Sequence, residues 1–202
     1  MNRRMSRNTS VRVLLAASVL VMVGVIFAVL PISAAEKKST AVKFNKEGDL
    51  IRPEGYREWV YVGCPITPND LNDGKAAFPE FHSVYINPHS FEVYQKTGKF
   101  PDGTVMIKEL VSVGAKKAPS GNGYFMDGFY GLECAVKDSK RFPNEPGHWA
   151  YFSFTNPGHP PNAKTKEKPT AECNPCHEQN AAEDWVYTQF YPVLRAAKAK
   201  GK

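Results

Sequence analysis

Thr104-Val105-Met106-Ile107-Lys108-Glu109-Leu110-Val111-Ser112-Val113 decides the fold. The run is rich in β-branched residues and follows the turn pair Asp102-Gly103, so it reads as a strand. Side chains alternate across a strand. Val105, Ile107, Glu109, Val111 and Val113 therefore share one face, and Met106, Lys108, Leu110 and Ser112 the other. Working outward, Phe81–Ile86 alternates in the same way. Asn87-Pro88 then starts a helix with proline at its first position, running to about Thr97, and Gly98 ends it. Tyr56–Val62 is strand or short helix. Residues 36–50 form a loose polar lead-in. Downstream, Gly114–Gly123 is a loop, Tyr124–Val136 is strand-like with breaks at Gly128 and Gly131, and Trp149–Phe154 is a short aromatic strand. A Pro- and Lys-rich loop, 156–170, leads to two expected helices, Glu172–Asn180 and Glu183–Leu194, the second kinked or ended near Pro192. The class expected is α+β: mainly antiparallel sheet with flanking helices and a C-terminal helical segment.

That helical segment carries Cys173-Asn174-Pro175-Cys176-His177. Cys-x-x-Cys-His is the spacing of covalent c-type haem attachment. The two thiols reach the two vinyl groups, and the adjacent imidazole of His177 reaches the iron. A zinc half-site would want two further ligands at comparable spacing, and Cys64 and Cys134 stand alone. A thioredoxin-like pair would open a helix early in a βαβ unit, which is missing around residue 173. One covalent haem c per chain is the expectation. Residues 178–202 contain no Met and no His. A sixth iron ligand would come from Met106, Met126, His82, His89, His148 or His159, and an open sixth position is at least as good a reading.

Residues 1–35 read as a secretory signal: Arg3, Arg4, Arg7 and Arg12, then an apolar run from Val13 to Ile32, then small residues at Ser33-Ala34-Ala35. The run is long enough for an uncleaved anchor to be the alternative. Haem attachment follows export, so signal and motif agree on a periplasmic location. The net charge of +6 misleads, because four of the 26 basic residues lie in that signal, leaving 22 against 20 acids. No nucleic-acid partner is implied. Residues 36–202 are of a length for one domain.

Two further residues have chemistry to offer. Lys108 lies between Met106 and Leu110, and is either a lysine snorkelling at a sheet edge or one held against the haem. Glu133, in Gly131-Leu132-Glu133-Cys134, is either an outward-facing glutamate or a desolvated carboxylate poised for proton transfer.

Several stretches, in order, give the chain a wider likeness. They are Tyr56-Arg57-Glu58-Trp59-Val60, Thr67-Pro68-Asn69-Asp70-Leu71-Asn72 and Phe100-Pro101-Asp102-Gly103-Thr104, continuing through Gly114. Then come Ser120-Gly121-Asn122-Gly123-Tyr124-Phe125-Met126, Gly131-Leu132-Glu133, Val136-Lys137-Asp138-Ser139-Lys140-Arg141-Phe142, the haem motif, and Phe190-Tyr191-Pro192-Val193-Leu194-Arg195. With them the chain resembles the cytochrome P-460 family, exported monohaem cytochromes with a lysine–porphyrin cross-link. The resemblance implies an antiparallel-sheet homodimer and a five-coordinate haem with His177 as the iron ligand. It implies Lys108 as the cross-linking lysine and Glu133 as the distal proton acceptor. The implied activity is that of a hydroxylamine oxidoreductase-type haem oxidase, giving nitric oxide or nitrous oxide and passing electrons to a soluble cytochrome c. The related cytochromes c-prime-beta share the fold but bind nitric oxide without turnover. That is the alternative reading, with simple electron carriage a third. His82 stands where a member of the family carries arginine. Cys64 and Cys134 lie outside the family pattern, and in an oxidising compartment they could pair.

Overall fold

In the computed structural model of the protein, residues 42–200 are described. Residues 1–35, read from sequence as a secretory signal, lie outside them. All described residues fall in one compact unit, Lys38–Lys202. Among the described residues no helix is long and apolar enough to cross a membrane.

The run that opened the sequence reading becomes β5, Val105–Val113. It is the middle strand of an antiparallel sheet ordered β3 (Val60–Gly63), β4 (Phe81–Ile86), β5, β8 (Met126–Lys137), β9 (Trp149–Ser153). β4 and β5 are joined through α1, Pro88–Thr97. Asn87 ties this corner together: its Oδ1 accepts from the Val105 amide at 2.8 Å and its Nδ2 donates to the Gly103 carbonyl at 3.3 Å. Gly98 closes α1 at φ 68°, donating its amide to the Tyr94 carbonyl, a left-handed conformation that suits a residue without a Cβ.

Register gives the sheet two different faces. Ile107 lies opposite Tyr85 and Cys134, and Cys134 opposite Phe152. With Val105, Leu132, Val136 and Ala150 these side chains fill one core together with Leu50 and Phe142. Met106 lies opposite Ile86 and Ala135, and Lys108 opposite Val84 and Glu133. Met106, Val84, Ile86, Trp149 and Tyr151 fill the other core, against Tyr94 of α1 and Leu194 and Ala197 of α3, Pro192–Lys200. The alternation read from β5 is the alternation found.

Three expectations change. Within the expected loose lead-in, β1 (Lys43–Phe44) and β2 (Leu50–Ile51) form a small sheet with β10 (Lys164–Thr165), and Leu50 is fully buried. Polar composition hid this because few residues there, Phe44 and Leu50 among them, pack on the core. The loop 114–123 folds as a tight hairpin of β6, Lys117–Ala118, and β7, Gly121–Asn122. The helix expected over 183–194 does not form. Asp184 and Trp185 take left-handed backbone, at φ 44° and 59°, and break it at its start. Pro192 is not a terminator either. It opens α3, where its missing N–H is no loss.

Candidate functional site

The helix α2, Thr170–Asn180, lies against β9, where Asn174, buried, donates from Nδ2 to the Trp149 carbonyl at 3.2 Å. Cys173, Cys176 and His177 are spaced i, i+3, i+4 and so occupy one side of the helix. Cys173 is half-buried and Cys176 exposed, and burial pushes the Cys173 thiol above its usual range.

His177 is flanked by the rings of Tyr151, at 4.4 Å, and Tyr187, at 4.9 Å between centroids. Its Nδ1 lies 2.8 Å from the Trp185 carbonyl. A carbonyl only accepts, so Nδ1 carries the proton and Nε2 keeps its lone pair. Burial holds this imidazole below its ordinary pKa, against the pull of the Trp185 carbonyl and with help from the Lys108 charge. The neutral tautomer with a free Nε2 is the form a metal requires.

Lys108 projects from β5 on the same side of the sheet. Its Nζ sits 4.0 Å from the centre of the Phe78 ring. Burial pushes its ammonium below the usual range, opposed first by Glu133 and then by the fields of Cys173, Glu80 and Cys176. Among the described residues it has no ion-pair partner. The edge-lysine reading fails, because β5 has a neighbour on each side.

Glu133, on β8, is half-buried and lies opposite Lys108, on the same side of the sheet. One oxygen, Oε1, accepts from Ser153 Oγ at 3.0 Å and Thr155 Oγ1 at 2.6 Å. The second oxygen is left for other work. Gly131 makes room for this clamp: a Cβ there would lie 2.2 Å from Thr155 Oγ1. His82, opposite Leu110 on β4, meets the Phe78 carbonyl at 3.1 Å through Nε2 and the Phe78 ring edge-on. Burial, and then the Lys108 charge, pull its pKa down to about 4.

Thus the structure brings Lys108, Glu133, Cys173, Cys176 and His177 to one side of one sheet, with His82 beside them. Of the other candidate sixth ligands, Met106 is packed in the core below. Met126 is exposed on β8, and His89 and His159 are exposed too. His148 turns to the Phe142 carbonyl. Cys64 and Cys134 are both free thiols. Cys64 Sγ lies 3.5 Å from Ser83 Oγ, while Cys134 is enclosed in the core on β8. Ser153, Thr155, Tyr151, Tyr187 and Phe78 were not singled out from sequence. They enter through strand register and helix placement, which single-sequence patterns do not contain.

The donor set fits a haem. Two thiols share one side of a helix with an imidazole whose Nε2 is free. Beside them the Tyr151 hydroxyl and Trp185 Nε1 are buried without a hydrogen-bond partner, the mark of polar groups set for something further. No group of three or more His, Cys, Asp or Glu among the described residues is arranged to hold a bare metal ion, as a zinc half-site would need.

A family model described as Cytochrome P460 matches residues 53–188, a stretch that includes all five of these residues. The family implies haem binding. No curated protein matches the chain significantly.

Proposed function

Since this chain belongs to the cytochrome P460 family, we propose that it is an exported c-type haem enzyme that oxidises hydroxylamine. The observation that carries the reading is the cross-strand pair Lys108 and Glu133, opposite each other on the face beside α2. A binding protein would need neither a partly buried amine without an ion-pair partner among the described residues nor an oriented carboxylate there.

Cys173 and Cys176 would hold the haem by thioethers and His177 Nε2 would hold its iron. When bound, the haem would supply an electron acceptor and the metal for a small nitrogen ligand. The protein's residues do the rest. Trp185 fixes the His177 tautomer. Lys108, its ammonium disfavoured by burial, has access to the neutral amine that bonding to the porphyrin edge requires. Forming that bond in place of a ring C–H would release two protons and two electrons, so it would need an oxidant such as dioxygen or a peroxide. Phe78 lies against the amine, its ring centre 4.0 Å from Nζ.

Glu133 is the proton acceptor. Conversion of hydroxylamine to nitric oxide releases three protons and three electrons, and conversion of two hydroxylamines to nitrous oxide and water releases four of each. Ser153 and Thr155 hold one carboxylate oxygen, leaving the other to take each proton in turn and pass it to solvent. The electrons would leave to a soluble cytochrome c in the periplasm, and the working unit would be a homodimer. A second reading, nitric oxide binding without turnover, draws on Phe78, an aromatic side chain next to the same space.

Steady-state oxidation of hydroxylamine with an artificial acceptor separates the two. Wild-type protein should turn over, and Glu133→Ala should lose about a hundredfold or more while keeping its haem spectrum. Equal turnover in both would remove Glu133 from the reaction. No turnover in the wild type, with tight nitric oxide binding, would establish the second reading.

A further inference from the structure

We infer that the ion pair between Lys137 and Asp184 is a positioning device for the proximal imidazole, setting the strength of the His177 hydrogen bond from two residues away. The inference rests on the reading of His177 as the iron ligand.

The segment that presents the Trp185 carbonyl to His177 is a tight turn in an unfavourable conformation. Asp184 and Trp185 are consecutive non-glycine residues at positive φ, 44° and 59°. Aspartate tolerates this region, but a large aromatic residue seldom enters it. Such a conformation persists only where the surroundings over-determine it. Here three contacts do so. Lys137 Nζ donates to both Asp184 carboxylate oxygens, at 2.8 and 2.8 Å. Trp149 Nε1 lies 3.4 Å from Asp184 Oδ1. The Trp185 ring is seated on bare backbone at Gly147, where a Cβ would lie 2.4 Å from Trp185 Cε3.

Lys137 is well placed to anchor the turn. It is the last residue of β8, directly opposite Trp149 on β9, and its Nζ lies 5.5 Å from the Trp149 ring centre. It therefore belongs to the sheet, while His177 belongs to α2. The turn is the link between them: sheet, Lys137, Asp184, Trp185 carbonyl, His177 Nδ1. Asp184 does not touch the imidazole, so it is a positioning residue. A firm bond from Nδ1–H to a carbonyl gives the ring partial imidazolate character and makes Nε2 a stronger donor, which favours ferric over ferrous iron. Loosening the turn withdraws the carbonyl and reverses both effects.

The test uses the haem-loaded protein and three variants. Asp184→Asn keeps the tolerance for left-handed backbone but removes the charge. Lys137→Gln removes the partner and leaves the sequence of the turn native. Lys198→Met is the control: it breaks the neighbouring pair with Glu183, 2.8 Å long, without touching Asp184. Two quantities are read, the reduction potential and the iron–histidine stretching frequency of the ferrous protein by resonance Raman. Asp184→Asn and Lys137→Gln should each raise the potential and lower the stretching frequency, and the control should move neither, whatever it does to melting temperature. A native stretch that stays in place in both variants, or that shifts equally in the control, overturns the inference. A wild-type protein with no iron–histidine stretch would instead overturn the ligand assignment on which it rests.

Discussion

Gly131→Ala should disable the clamp on Glu133 without touching Glu133. The added Cβ would lie 2.2 Å from Thr155 Oγ1, 2.7 Å from its Cγ2 and 3.0 Å from its Cβ. Ordinary contact is reached only if Thr155 retreats by about 1 Å. Its bond to Glu133, 2.6 Å long, then stretches to the limit of a useful hydrogen bond. Thr155 Oγ1 also accepts from the Leu132 amide at 3.1 Å, so that bond weakens too. A hydrogen bond to a charged group contributes about 1.5–3 kcal/mol. With the strain of overpacking, a net loss of about 2–4 kcal/mol is expected, or a fall in melting temperature of about 4–16 °C for a domain of this size. On the reading of Glu133 as proton acceptor, turnover should fall by roughly tenfold to a hundredfold, because a carboxylate freed from its clamp loses a position on which effects of that order depend.

The cycle with Thr155→Val isolates the cause. If Gly131 matters because it admits Thr155, Gly131→Ala should add little once the threonine hydroxyl is gone, and the two single losses should exceed the double one. Thermal unfolding and hydroxylamine turnover are measured on all four proteins. Simple additivity, or a Gly131→Ala protein that melts and turns over like the wild type, would refute the clamp.

Three other outcomes follow from the site. Lys108→Arg should keep haem on Cys173 and Cys176 through acid–acetone extraction but shift the absorption of the reduced protein, and recovering the wild-type Lys108 peptide free of haem would rule out the cross-link. His82, with its pKa at about 4 rather than the ordinary 6.5, binds its proton in the unfolded chain before it does so in the folded one. Stability should therefore fall as pH drops from about 6.5 toward 4, by about 2 kcal/mol after allowance for partial exposure, and His82→Gln should flatten that slope in melting curves. Native alkylation should label Cys64 ahead of Cys134, whose thiol is buried and pushed far above its usual range, and a non-reducing peptide map should contain no Cys64–Cys134 disulfide.

Much of this was legible in the chain, and what escaped has a common cause. Local signals found their elements: Asn87-Pro88 and Gly98 bracket α1, and the alternation of β5 gives its two faces. A Cys-x-x-Cys-His motif is a contiguous pattern, so it too was visible. The clamp on Glu133 is different. Ser153 is 20 residues away and Thr155 22, and only the register of β8 on β9 makes them neighbours. The turn at Asp184-Trp185 escaped for another reason. Nothing in Glu183–Phe190 forbids a helix locally, and the contacts made by the turn come from far along the chain, Lys137 47 residues away and Trp149 35 residues away.

Lys108 and Glu109 show why burial of a charge is informative only with its partners in view. They are consecutive in β5 and so point into opposite cores. Glu109 is almost wholly buried, yet it is compensated: the Tyr56 hydroxyl donates to its Oε2, and Arg57 Nη2 reaches the same oxygen at 2.6 Å. Such a group is accounted for by structure alone. Lys108 has an aromatic ring beneath it, a carboxylate across the ladder that is already engaged with two hydroxyls, and no ion-pair partner among the described residues. The fold has lowered the pKa of this amine without satisfying it, and it has done so beside the two thiols of α2. An arrangement that does nothing for stability calls for a chemical reason. A bond from Lys108 to a haem held by Cys173 and Cys176 would supply one, since a neutral amine is the form that bond needs.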